Sequence, residues 1–179
     1  MTAASGAPEA GWVKVWDPLV RLFHWVLVAA VLLAFVSDGE RTVHESAGYV
    51  ALALVAVRLV WGLVGPTYAR FSSFVRGPRA VLAYLGDVLR RRAGRHLGHN
   101  PAGGAMIVAL LLLVLVVGVS GWMSETDRFF AVRWVEVLHS LSADALIAMA
   151  ALHVAGVLAS SLLHKENLVR AMITGKKRH

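Results

Sequence analysis

Four long stretches of nearly unbroken apolar residues set the pattern of this chain, at about 18–37, 45–64, 103–123 and 139–163. A helix that crosses a bilayer needs roughly 20 mainly apolar residues, and each stretch has about that length. Polar residues from Ser37 to Arg41 end the first, and Gly65-Pro66 ends the second, where proline cannot continue the helical hydrogen-bond ladder. Asn100 followed by Pro101 predicts the cap and first turn of the third. The polar breaks after the first and third stretches are short, so spans one and two, and three and four, are expected to be antiparallel neighbours. The predicted fold is all-α, an integral membrane four-helix bundle forming a single domain over residues 1–179.

Composition agrees with this pattern. The 179 residues are 58% hydrophobic and 16% charged, with a mean hydropathy of +0.64. Soluble domains are nearer half apolar and a quarter charged. The absence of cysteine excludes disulfides, cysteine-held iron–sulfur clusters, thiolate haem ligation and a covalent c-type haem.

A net charge of +7 suggests nucleic acid until the charges are placed. Lys14 and Arg21 precede or open the first span. Arg70, Arg76, Arg79, Arg90, Arg91, Arg92 and Arg95 occupy the long connection at 66–99. Lys165, Arg170, Lys176, Lys177 and Arg178 form the tail. With four spans these segments share one side of the membrane, and they hold 14 of the 18 Lys and Arg residues. The positive-inside rule then puts both termini in the cytoplasm and leaves nucleic acid without support. The segment PRAVLAYLGDVLRRR, from Pro78 to Arg92, has the pattern of a helix lying on the cytoplasmic surface against anionic lipid headgroups. Trp12, Trp16, Trp61, Trp122 and Trp134 are expected to form interfacial belts.

Four histidines fall within or at the ends of the spans. His24 lies about two turns inside the cytoplasmic end of span one. His44 opens span two and His139 opens span four, both at the outer end, and His153 lies deeper in span four. His139 and His153 are 14 residues apart, so they share a helix face and are separated by about 21 Å along the axis. The topology then sorts the four residues into two levels, His44 with His139 and His24 with His153. Facing imidazoles across a bundle core suit a bis-histidine haem site. Gly48 and Gly156, close to two of these histidines, would relieve contact with a porphyrin ring. Arg58 follows His44 by the same 14 residues and belongs at the lower level, where a buried cation needs an anionic partner such as a haem propionate. The alternative is an arginine snorkelling to lipid phosphates. A mononuclear metal site would gather its ligands at one depth, and a di-iron bundle would need two Glu-x-x-His pairs where this chain has one, at 136–139.

Several segments carry a family resemblance: VWDPLVRLFHW at 15–25, HESAGYVALALVAVRLVWG at 44–62, GHNPAGG at 98–104, the two histidines of span four, and ENLVRAMITGKKR at 166–178. Together they resemble the prokaryotic cytochrome b561 group, related to the b-type cytochrome subunits of nickel–iron hydrogenases. The resemblance runs from about Val15 to Arg178 and implies a four-helix membrane bundle with two b haems. Carried over by position, the ligands fall on His24, His44, His139 and His153, in the pairing that the spacing suggests.

The expected function is electron transport between the membrane quinone pool and a redox partner, in the inner membrane of a bacterium. The partner would be a periplasmic cytochrome or an oxidoreductase subunit, and the chain would act as a quinol oxidoreductase at most. Candidate quinol-site residues are His99, Asn100 and His164 on the cytoplasmic side, and Glu45, Glu136 and Asp144 on the outer side. Two other readings stay open at this point. One is a haem-bearing anchor subunit of a larger oxidoreductase such as a hydrogenase. The other is a haem-free transport or structural bundle whose histidines merely hydrogen-bond.

Overall fold

A computed structural model describes residues 11–178, and His179 lies outside them with residues 1–10. Along the described chain run β1 (Trp12–Lys14), α1 (Pro18–Val36), α2 (Arg41–Val64), α3 (Phe71–Phe74), α4 (Pro78–Leu89), α5 (Pro101–Ser124), α6 (Arg133–Leu163), α7 (Leu168–Thr174) and β2 (Lys176–Arg178). Helices α1, α2, α5 and α6 are long and apolar enough to cross a membrane. Much of their apolar surface points outward, including Leu22, Leu32, Leu63, Leu112 and Leu162. That arrangement suits lipid as the surrounding solvent.

Local chemistry sets the helix starts. Asp17 Oδ1 accepts from the backbone N–H groups of Leu19 and Val20 at 3.0 and 3.1 Å, ahead of Pro18. Asn100 Oδ1 accepts from Gly103 N–H at 2.7 Å, the cap expected for α5. Two helices begin earlier than apolar content alone predicts. Helix α2 starts at Arg41 rather than near 45, and an Arg41–Glu45 ion pair one turn apart supports its first turn. Helix α6 starts at Arg133 rather than near 139. Val135 is fully buried there, and Glu136 lies in the first turn, where a negative charge complements the helix dipole. His44 and His139 therefore do not open their helices; they lie about one and two turns inside.

The surface helix α4 stops at Leu89, short of Arg90 to Arg92. Arg91 adopts φ 56°, and the Arg92 N–H closes back onto Asp87 O at 2.8 Å. This left-handed stop turns the arginine run out of the helix.

Helices α1 and α2 pack as one hairpin and α5 and α6 as another, with α2 against α5. Phe23, Ala30, Ala51, Val55, Leu111, Val114 and Leu146 form the shared core. Among the described residues, α6 makes no comparable close packing with α1 or α2. It faces them across a gap that side chains span.

Strands β1 and β2 pair antiparallel, with Trp12 opposite Arg178, so both ends of the described chain meet at one end of the bundle. Gly175, at φ +79°, makes the turn into β2, and its carbonyl accepts from Val15 and Trp16 N–H. A Cβ at Gly175 would lie 2.7 Å from Trp16 O. Trp16 is buried with Val15 and Ala171, so it is part of a small core rather than of an interfacial belt. Trp12, Trp122 and Trp134 are exposed.

Candidate cofactor site

The four histidines meet in two pairs. At the end away from the strands, His44 of α2 faces His139 of α6, with ring centroids 6.0 Å apart and planes at 68°. Toward the strand end, His24 of α1 faces His153 of α6 at 6.4 Å and 61°. Both pairs bridge the gap between α6 and the α1–α2 hairpin. The fourteen-residue spacing within one uninterrupted α6 places them at two levels. Among the described residues there is no cluster of three or more His, Cys, Asp or Glu side chains suited to a metal ion.

Ring orientation in the far pair is fixed by backbone. His44 Nδ1–H donates to Ala34 O at 2.9 Å. His139 Nδ1–H donates to Val117 O at 3.0 Å, and Ser120 Oγ lies 3.3 Å from the same nitrogen. A protonated Nδ1 leaves Nε2 as the lone-pair nitrogen, the usual arrangement for a metal-binding histidine. Gly121 lets α5 approach closely: a Cβ there would lie 3.1 Å from His139 Cε1. Arg41 pairs with both Glu45 and Glu125, tying α2 to the end of α5 above this level.

The pair nearer the strands has different neighbours. Among the described residues, no hydrogen bond reaches the His24 or His153 ring. Arg58, on α2, is only 3% exposed. It does not snorkel to the surface: Nη2 donates to Ala69 O at 2.9 Å, and its guanidinium lies 4.9 Å from the Phe71 ring centroid. Its Nη1 is buried without a partner. His99 packs between Trp16 and Phe74, at centroid distances of 4.5 and 4.8 Å, and its Nδ1 is also buried and unpartnered. Burial, reinforced by the positive charges of Arg58 and Lys177, pushes His99 down to about 3, so its ring is neutral at pH 7.

The other candidates have local roles. Asn100 caps α5, Glu45 is ion-paired, and His164 ends α6. Glu136 and Asp144 are exposed. Sequence reasoning missed Gly121, whose glycine within an apolar run is an ordinary feature of membrane helices. It also missed Glu166, a buried hub held by Arg95 at 3.0 Å and Lys177 at 3.3 Å. Burial alone would raise the Glu166 carboxyl, but these two cations hold it below its ordinary range.

A b-type haem tests well against this donor set. In each pair the two imidazoles face each other across the gap, with centroids 6.0 and 6.4 Å apart, a separation that leaves room for one metal ion between a nitrogen of each ring. A Cβ at Gly48 or Gly156 would meet nothing within 4 Å, so both face open space near these histidines. The unpartnered Arg58 Nη1 suits an acidic group.

No curated protein matches the chain. The family model described as prokaryotic cytochrome b561 matches residues 15–175, most of the chain. Membership implies b-type haem and electron transfer in a membrane, which the four apolar helices and the paired histidines accommodate. This chain belongs to the prokaryotic cytochrome b561 family.

Proposed function

We propose that this protein is a di-haem b-type cytochrome of the bacterial inner membrane that carries electrons between the quinone pool and a second redox protein. The observation that carries this reading is the pair of imidazole–imidazole separations, 6.0 and 6.4 Å, at two levels of one bundle. His44 with His139 would hold one haem, and His24 with His153 the other. Haem b, when bound, would supply one-electron iron chemistry, with the two imidazoles of a pair as its protein ligands.

The chain's own residues do the rest. Ala34 O and Val117 O hold the His44 and His139 rings with Nε2 turned away from the backbone. Arg58 places a cation beside the lower level, where a haem propionate would neutralise it. The apolar helices keep water from both levels. Both termini would be cytoplasmic, with the basic α4 segment and tail on anionic headgroups. The far end, closed by Arg41, Glu45 and Glu125, would then face the periplasm and a partner such as a soluble cytochrome.

The test is an oxidised-minus-reduced absorption spectrum of the detergent-purified chain, with haem and iron counted per polypeptide. Two b haems are expected, falling to one in His24→Ala and to one in His44→Ala. A quinol analogue added to the oxidised protein should develop the reduced spectrum. A colourless protein after expression with ample haem would sink the reading.

A further inference from the structure

Arg58 and His99 come from different parts of the chain but converge on the short helix α3. Arg58 lies over Phe71, His99 packs on Phe74, and the two phenyl rings are 5.8 Å apart. Each presents one buried nitrogen with no protein partner, Arg58 Nη1 and His99 Nδ1. Among the described residues no carboxylate pairs with Arg58. Arg58 Nη1 is a charged donor, and His99 Nδ1 is a donor in its Nδ1–H tautomer; buried donors without acceptors are costly and rarely left so. The missing group is an oxygen acceptor, preferably anionic. Arg58 follows His44 by the same 14 residues that separate His139 from His153, which places this pair of nitrogens at the level of the lower histidine pair.

We infer that Arg58 and His99 form a two-donor site for a buried carboxylate, and that this carboxylate is a propionate of the haem held by His24 and His153. The inference rests on the haem reading above and adds His99 to it as a positioning residue. A quinone carbonyl offers the same acceptor chemistry without the charge, and an uncharged oxygen would leave Arg58 with no ion-pair partner, since Asp17 acts on it without forming a salt bridge. The propionate is therefore the source the buried cation favours. Two donors on one propionate spread its negative charge away from the iron, which favours the ferrous state. Removing a donor therefore lowers the midpoint potential of that haem alone.

The experiment is a redox titration of the full chain in detergent, free of quinone, in the His44→Ala background that isolates the lower haem. His99→Leu should retain that haem and lower its midpoint by about 30 mV, a threefold change in the oxidised-to-reduced ratio at 59 mV per tenfold for one electron. His99→Gln, which keeps a donor, should restore the starting midpoint. Arg58→Gln should lower it further, by about tenfold in the same ratio. Should these variants not fold, the wild-type chain loaded with haem carrying 13C at its propionates answers the question. Its redox-difference infrared spectrum should show a labelled carboxylate band that shifts with iron oxidation state.

A retained haem whose midpoint is unmoved by His99→Leu, or labelled bands that ignore the redox state, overturns the propionate assignment alone. A midpoint that responds to His99 only after quinone is added overturns it in favour of the quinone carbonyl. A chain without haem overturns both this assignment and the function it rests on.

Discussion

At the far end of the bundle, backbone carbonyls orient both imidazoles, and Gly121 brings α5 against one of them. Toward the strands, His24 and His153 have no such tethers among the described residues, yet a buried arginine and a neutral histidine lie nearby. The first level is governed by position and the second by electrostatics. A ring fixed by a carbonyl has its tautomer chosen in advance, so its lone pair is ready for a metal. A ring beside a buried cation has its surroundings polarised instead, which acts on potential rather than geometry. Two sites with nearly equal ring separations can thus differ in what the protein contributes to each.

The strongest way to break this comparison is to remove one of the proposed haem ligands from each level. His139→Ala and His153→Ala should each lose one of two haems, counted by pyridine haemochrome assay, and the spectrum retained should differ between them. Next in size is crowding at the far level. Gly121→Val puts side-chain atoms into the His139 ring, an overpacking cost of about 1–3 kcal/mol. It should deplete the far haem and spare the lower one, and equal depletion of both would show that the levels are not independent.

Acid should act at the strand end first. The Glu166 carboxyl is held below its ordinary 4.5, so its stabilising contribution is complete above that value and is lost as pH falls through the lower folded value. Amide exchange at 176–178 should accelerate there, before exchange in α5 does, and Glu166→Gln should remove that pH dependence. The smallest effect is expected from Ser120→Ala. Its hydroxyl is 3.3 Å from His139 Nδ1, while Val117 O is nearer at 3.0 Å. The far haem should be retained with at most a slight change in midpoint.

Much of this was legible because a membrane helix advertises itself by composition, and because a 14-residue interval on one helix face is a geometric statement. The four spans and the meeting of His24 with His153 and His44 with His139 followed from those two facts. Helix starts were read too late where polar residues continue the helix beyond its apolar part, as at Arg41 and Arg133. Trp16 was misread because an aromatic residue near a span end looks the same whether it meets lipid or a neighbouring segment. Its burial depends on Ala171, more than 150 residues away. The strand pair was invisible for the same reason: three residues rich in lysine carry no strand signal until their partner is known. The Glu166 hub likewise joins Arg95 and Lys177, which no local pattern connects.

That strand pair has a consequence for biogenesis. As the polypeptide leaves the ribosome, Trp12 to Lys14 are made before α1 and wait for a mate that is made after α7. Each helical hairpin closes through contacts between successive segments, whereas the clasp spans nearly the whole described length and carries the entropy of so large a loop. It therefore belongs at the end of assembly, after both hairpins have been inserted. A ribosome-release time course should find it closing last, a latch that marks the bundle as complete.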